Sequence, residues 1–182
     1  MPNYLENYLS VQDGEIYHIK QISTTDKSVI YFDETYQSVG KGKTNLEQPF
    51  SIPNAEKFNV KGIKIVFLNL LQLNETNKLP LFYLRFLLGE TEMFNMHLAE
   101  IYPSVFGYVY QTATEGTLST KKANLFTLGN TYSGFGFTKG LEVDILKNVS
   151  FRVELSEIEN IPTGNLLVGI FLVGTFYRTI TG

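Results

Sequence analysis

Residues 141–146 (LEVDIL), 149–155 (VSFRVEL) and 166–180 (LLVGIFLVGTFYRTI) lie close together near the end of the chain. The middle stretch alternates apolar and polar residues with a period of two, as a half-buried strand does. The last stretch is apolar at nearly every position, which predicts a strand covered on one face by a second layer and on the other by a neighbouring subunit. Phe151 and Phe171 are both predicted to be buried. A chain that ends inside such a run is predicted to be a β-sandwich that assembles with other subunits.

Further stretches carry the same signature of β-branched and aromatic residues between Gly, Asn, Pro or Asp. They are residues 15–23, 29–32, 58–71, 79–88, 93–101, 107–113 and 125–128. The first two are predicted to form a hairpin across the turn-prone residues 24–27. In the third, the apolar alternation changes phase at Gly62, which predicts a β-bulge. The chain is therefore predicted to be all-β, a single jelly-roll or Greek-key β-sandwich of about eight strands.

The length of 182 residues fits one domain, which is predicted to span residues 13–182. Residues 1–12 are predicted to form an N-terminal arm or a short helix. Four apolar residues recur there at helical spacings, namely Tyr4, Leu5, Tyr8 and Leu9. The pattern fits a docking helix and a tethered arm equally well. No basic segment followed by an apolar core is present at the start, so the chain is predicted to be made in the cytoplasm.

Composition removes several classes of function. The net charge of −3 and the scattered lysines disfavour a protein that reads DNA or RNA, because phosphate neutralisation needs a basic face. The chain has no cysteine, which excludes disulfide frameworks, thiolate nucleophiles and thiolate metal sites. Trp, the strongest platform for stacking on sugars, is absent as well, although 11 Tyr and 14 Phe keep sugar binding open as a competing reading.

Residues 40–44 (GKGKT) end like a phosphate-binding P-loop. The first glycine of that motif would fall at position 37, which is Gln37. A P-loop also requires a helix directly after its Lys-Thr pair, whereas Pro49 and Pro53 follow here. The stretch is therefore predicted to be a glycine-rich turn between strands.

Catalytic groups are few. His18 and His97 are the only histidines, they form no His-x-His pair, and each lies in a strand-like context where a single imidazole is usually structural. An enzyme would become credible if one of them lay beside two carboxylates in a deep pocket. Glu142 and Asp144 share one face of a strand, but they alternate with apolar partners, which favours a solvated face over a catalytic pair. No catalysis, no cofactor and no metal are predicted.

An aromatic and glycine-rich loop is predicted at residues 132–137. It contains Tyr132, Phe135 and Phe137. Such a loop presents its rings to another subunit or folds them back into the core, and the sequence favours neither.

Three segments together resemble a known family. They are TNLEQPFSIP (44–53) with VKGIKI (60–65), GLEVDI (140–145) with VSFRVEL (149–155), and VGIFLVGTFYRTI (168–180). Their order resembles that of the small single-jelly-roll capsid proteins of tailless icosahedral bacteriophages, several of which enclose an internal membrane. In that family the last strand ends in a Leu-x-Gly-x-x-x-Arg-like pattern, which Leu172, Gly174 and Arg178 fit. The resemblance covers about half of the chain.

The resemblance implies a viral structural protein that is assembled in the host cytoplasm and resides in the virion. Its implied partners are copies of itself, other capsid proteins and an internal viral membrane, with no specific nucleic acid and no small-molecule substrate. The candidate contact residues are Tyr4, Leu5, Tyr8, Leu9, Tyr132, Phe135, Phe137 and Arg178. The alternative is a jelly-roll binding module, such as the trimeric sugar- or receptor-binding head of a phage spike.

Overall fold

The computed structural model describes residues 9–23, 25–68, 82–98, 106–112, 121–127, 135–156 and 166–179. These residues form ten strands and one helix of a single turn. The strands are β1 (Leu9–Ile22), β2 (Ser28–Tyr31), β3 (Lys57–Phe67), β4 (Tyr83–Leu88), β5 (Thr91–His97), β6 (Phe106–Thr112), β7 (Lys121–Thr127), β8 (Phe135–Leu146), β9 (Phe151–Ser156) and β10 (Leu166–Thr179), and the helix is α1 (Tyr36–Val39). The predicted all-β class is confirmed.

Two antiparallel sheets of four strands carry the fold. The first sheet has the order β1-β10-β3-β8 and the second has the order β2-β9-β4-β5, while β6 and β7 pair in a separate two-stranded sheet. Among the eight strands of the two larger sheets, every step along the chain crosses from one sheet to the other, except the step from β4 to β5. This connectivity is that of a jelly roll, so the predicted single jelly-roll sandwich is confirmed.

One apolar core lies between the two sheets. On β9, Phe151, Val153 and Leu155 are buried and the residues between them are half-buried, as their alternation predicts. The first sheet contributes buried residues from all four of its strands, namely Ile16, Ile22, Phe58, Val60, Ile63, Ile65, Ile145, Val168, Ile170, Leu172 and Phe176. Burial of one such side chain contributes about 1.5–3 kcal/mol relative to exposure, so this core supplies most of the stabilisation.

Phe171 lies on the other face of the first sheet. It is half-buried, whereas its neighbours Ile170 and Leu172 are buried in the core. Its ring stacks on Tyr17 at 5.9 Å between ring centroids, and it covers Gly169, where a Cβ would come within 2.7 Å of Phe171 Cε2. The prediction that Phe171 is buried like Phe151 is wrong for the single chain, because the period of two in β10 turns this residue away from the core.

The β-bulge predicted at Gly62 is confirmed. The register of β3 shifts between Val60 and Gly62 where it pairs with β8, and β10 shifts opposite the same point, between Val173 and Gly174. The extra residue lets the apolar positions before and after it face the same core. A Cβ on Gly174 would clash with the Asn59 carbonyl oxygen, so the two backbones approach this closely only because glycine occupies the position.

The hairpin predicted for residues 15–23 and 29–32 is wrong. β1 pairs with β10 along its whole length, and β2 pairs with β9, so the two strands belong to different sheets. Ile16 and Ile22 on β1 and Tyr31 on β2 are all fully buried in the one core. A connection that crosses between the sheets lets both strands face that core from opposite sides.

The start of β1 corrects the predicted N-terminal boundary. β1 begins at Leu9, so residues 9–12 pair with β10 and do not belong to the arm or helix predicted for residues 1–12. At Leu9 the ladder to β10 outweighs the helical spacing of the apolar residues.

α1 was not predicted from the sequence, and no helix among the described residues has the length and apolar character needed to cross a membrane.

Candidate functional site

The predicted contact residues that the structure describes lie at two opposite ends of the first sheet. Leu9 and Arg178 belong to neighbouring pairs at the final end of β10. Phe135 pairs with Phe67, which in turn is paired through β3 to Val168 near the start of β10. Tyr4, Leu5, Tyr8 and Tyr132 lie outside the described residues. The predicted contacts therefore form two separate regions.

The loop predicted for residues 132–137 is wrong from Phe135 onward. β8 begins at Phe135, and Phe137 pairs with Ile65 in the ladder between β8 and β3. Long pairing with a central strand outweighs the turn preference of the glycines that separate the aromatic residues.

Arg178 is held by the sandwich itself. Its Nη1 donates a hydrogen bond to Gln12 Oε1 at 3.0 Å, and its guanidinium lies 5.2 Å from the centre of the Phe176 ring. Its Nε is buried and has no hydrogen-bond partner among the described residues. The side chain thus joins β10 to β1 at this end of the sheet.

A cluster of titratable side chains surrounds His18, which is fully buried. The Phe32 N–H donates to His18 Nδ1 at 2.7 Å. Because Nδ1 accepts this bond, the ring proton of the neutral imidazole is on Nε2, which lies 3.1 Å from Glu34 Oε2 and donates to it. We call His18, Lys20, Asp33 and Glu34 the His18 cluster. It joins β1 to the segment that follows β2.

The Lys20 ammonium lies between the two carboxylates of the His18 cluster. Its Nζ is 2.7 Å from Asp33 Oδ1 and 3.4 Å from Glu34 Oε2. His18, Asp33 and Glu34 offer ligand atoms that all lie within 4.8 Å of one another, a spacing that suits a metal ion. A cation bound there would have to displace Lys20 and break one of the two hydrogen bonds of the imidazole, from the Phe32 N–H or to Glu34. The cluster is therefore built as an internal ion-pair network.

Burial dominates the electrostatics of the His18 cluster. It lowers the pKa of His18 from its ordinary value, and the positive charge of Lys20 lowers that pKa further, while Asp33 and Glu34 act in the opposite direction. Burial also raises the pKa of Tyr31, whose ring meets His18 edge-on at 5.9 Å between ring centroids. The imidazole is consequently neutral at pH 7.

The sequence made an enzyme credible only if a histidine lay beside two carboxylates in a deep pocket, and the His18 cluster meets the first part of that condition. His18 does lie beside two carboxylates. Its Nδ1 lone pair, however, is taken by the Phe32 N–H and its Nε2 proton by Glu34. Neither ring nitrogen is available to accept a proton from a substrate in this arrangement.

The glycine-rich stretch 40–44 is a turn, as predicted. Gly40 ends α1 with a φ of 90°, in the left-handed region that favours glycine. The chain then returns to the edge of β1, where Thr44 forms a bridge with His18 and its Oγ1 donates to the Tyr17 carbonyl at 2.9 Å. The lysines of the motif are exposed on this turn.

On the outward face of the first sheet, Asp144 is bound by two neighbouring side chains. Asp144 accepts hydrogen bonds from Asn59 Nδ2 at 2.8 Å and from Lys57 Nζ at 3.1 Å. The bond from Asn59 is the main reason that the pKa of Asp144 is lowered. A general acid requires a raised pKa, which Asp144 does not have. Glu142 and Asp144 are both exposed, as the alternation predicts for a solvated face.

Neither the models of known protein families nor the curated proteins gave a match to the chain.

From the sequence, His18 is predicted to be an isolated structural imidazole, and the His18 cluster is not predicted. Two signals were present: His18 and Lys20 are two residues apart on one strand, and Asp33 and Glu34 directly follow the predicted strand of residues 29–32. Their meeting depends on the crossing between β1 and β2, which the predicted hairpin did not contain.

Proposed function

We propose that the chain is a viral structural protein, a capsid subunit that assembles into an icosahedral shell through the surfaces of its β-sandwich and performs no catalysis. The strand order of the two sheets carries this proposal. Jelly rolls of this connectivity build viral capsid domains, and they also occur in lectin domains and cupins. A fold shared by several functions supports a function by analogy, and the residues must supply the rest.

The Leu-x-Gly-x-x-x-Arg-like pattern supports the capsid reading, because each of its residues has a role in shaping the sandwich. Leu172 is fully buried in the core. Gly174 permits the close approach of β3 at the bulge, and Arg178 ties the end of β10 to Gln12 on β1. A protein whose function is its shape would place a recurring pattern at such positions.

The proposed partners are copies of the chain, other capsid proteins and an internal viral membrane, and the proposed location is the virion. The rival is a jelly-roll binding head, since lectin domains share the topology. The two functions differ in assembly: a shell subunit forms extended lattices, whereas a binding head forms a small closed oligomer.

The experiment is light scattering of the purified protein over a concentration series, alone and co-expressed with the other structural proteins of its virus, with electron microscopy of the products. We expect ordered sheets, rings or shells to grow with concentration or on addition of a partner. A single small oligomer under all of these conditions, together with binding to a glycan array, would replace the capsid proposal by the binding head.

A further inference from the structure

Half of the outer edge of β1 is covered by the chain itself. The Ile19 N–H donates to the Lys43 carbonyl at 2.7 Å, and the Tyr17 N–H donates to Asn45 Oδ1 at 3.0 Å. Asn45 Nδ2 in turn donates to the Glu15 carbonyl at 2.8 Å. The odd-numbered residues of β1 thus direct their backbone groups away from β10, and residues 43–45 satisfy them from position 15 to position 19.

In the other half of this edge the outward backbone groups continue to alternate, but no described segment lies against them. Val11 and Asp13 are the next odd-numbered residues, and β1 pairs with β10 only on its other side there. None of the described residues forms a hydrogen bond with the outward backbone groups of these two. Val11 is also 60% exposed, although it is a large apolar residue in a strand. Open edges of this kind are templates for another strand.

We propose that the edge of β1 from Leu9 to Asp13 pairs with the same edge of a second copy of the chain. The two edges would run antiparallel about a two-fold axis and join the two first sheets into one sheet of eight strands. An isologous contact of this type is self-complementary, because every donor on one copy meets an acceptor on the other. The dimer would be one of the contacts within the proposed shell, so its biological role rests on the proposed capsid function.

The charges and the number of backbone groups that are paired select the register of the pairing. Only odd-numbered residues offer outward backbone groups, so the candidate registers place Val11 opposite Val11, Leu9 opposite Val11, Val11 opposite Asp13, Leu9 opposite Leu9, or Asp13 opposite Asp13. The last register brings the two Asp13 carboxylates face to face, with Lys61 of the same copy 3.6 Å from each, and Asp13 is the only uncovered residue that it pairs. The first uses all three outward residues, Leu9, Val11 and Asp13, and sets the exposed valines against each other. We therefore assign the two-fold axis to Val11.

Charge also favours the second β1 edge over the opposite edge of the first sheet. Asp13 on β1 and Asp144 on β8 terminate one row of paired residues that crosses the sheet through Thr175 and Asn59. A head-to-tail contact at the same level would place Asp13 of one copy next to Asp144 of the other, each with its own lysine beside it, Lys61 at 3.6 Å and Lys57 at 3.1 Å. Pairing β1 with β1 about Val11 keeps these like charges apart, because it sets Asp13 opposite Leu9 of the other copy.

The test is sedimentation of Val11→Pro and Val11→Ala at concentrations below those at which shells form. Proline removes the outward N–H and leaves the ladder to β10 intact, because the bonds to β10 come from the even-numbered residues. We expect wild type and Val11→Ala to form dimers, and Val11→Pro to dissociate about tenfold more readily or more, since two hydrogen bonds are lost across the axis. A monomeric wild type, or equal dimerisation of the two variants, would overturn the proposal.

A cysteine pair keeps the proposal testable if Val11→Pro fails to fold. The chain has no native cysteine, so Val11→Cys places one thiol in each copy. Hydrogen-bonded antiparallel partners have Cα atoms about 5.5 Å apart, within the range that a disulfide spans. Leu146→Cys is the control, because Leu146 is 51% exposed on the opposite edge strand β8.

We expect oxidation to cross-link Val11→Cys into dimers at micromolar concentration and to leave Leu146→Cys largely monomeric. Equal cross-linking of the two variants would contradict the assigned edge. The outcome is separable from the proposed function: shells without a β1 dimer would refute this contact alone, and a stable β1 dimer that never forms a shell would refute the capsid role alone.

Discussion

At the residue scale, His18 shows how much a single side chain depends on distant partners. The sequence predicts a structural imidazole in a strand, and the structure gives it a backbone donor, Phe32, and a carboxylate, Glu34, from the opposite side of the sandwich. The strand, and a same-face alternation with Lys20, were predictable from spacing. The partners were not, because they come from a crossover that local patterns do not encode.

His18 makes stability depend on pH. Its pKa is lowered by burial in the folded chain, so the unfolded chain binds the proton more tightly. The stabilisation from neutral His18 is fully present above the ordinary histidine pKa of about 6.5 and is lost as the pH falls from there to the lowered value in the fold. His18→Asn keeps an acceptor for the Phe32 N–H and does not titrate.

Urea unfolding of wild type and His18→Asn between pH 8 and pH 5 measures this effect. We expect the wild type to be the more stable at pH 8, with the difference in the free energy of unfolding shrinking below about pH 6.5. His97 is present in both proteins and cancels in the comparison. A difference that stays constant over this pH range would mean that the pKa of His18 is the same in the folded and unfolded chain, which contradicts the prediction.

At the element scale, the strands were more predictable than their partners. The alternation of β9 and the phase change at Gly62 gave correct strands and a correct bulge, because each is a local pattern of side chains. The prediction of a hairpin between β1 and β2 was wrong, because burial against the opposite sheet decides which strands pair. The loop predicted up to residue 137 was wrong for a similar reason: the ladder between β8 and β3 extends to Phe135, into residues whose glycines indicate a turn.

The bulge between β3 and β10 gives the prediction at this scale. Gly174→Ala would push a Cβ into the Asn59 carbonyl, a backbone atom that cannot rotate away. We expect a loss of about 1–3 kcal/mol in the free energy of unfolding, as for other overpacked sites. Gly140→Ala is the control on the same sheet, because a Cβ there meets nothing within 4 Å.

Thermal or urea unfolding of both glycine variants provides the measurement. We expect Gly140→Ala to remain within about 0.5 kcal/mol of wild type, as surface substitutions usually do. Similar losses in the two variants would indicate that the cost reflects glycine replacement in a strand in general and would remove the steric role assigned to Gly174.

At the scale of the whole molecule, composition and the number of strands predict the all-β class but not which strands pair with one another. The pairing of β1 with β10 joins residues from opposite ends of the described chain, from Leu9 with Thr179 to Ile22 with Leu166. Such long-range pairs leave no local signature. The predicted jelly roll was nevertheless correct, because many short strands with two-faced burial and almost no helix leave few sandwich topologies open.

The single core between the sheets yields the last prediction, which contrasts two phenylalanines. Phe151 is 1% exposed in the core and its ring lies 5.2 Å from that of Phe32, whereas Phe171 is half-buried on the outward face against Tyr17. We expect Phe151→Ala to cost about 3–5 kcal/mol of unfolding free energy. Phe171→Ala should cost clearly less, because its site is partly open to water already. Urea unfolding of dilute monomer, followed by tyrosine fluorescence and circular dichroism, gives both values. A loss below about 1 kcal/mol for Phe151→Ala would contradict the strand phase on which the core is built.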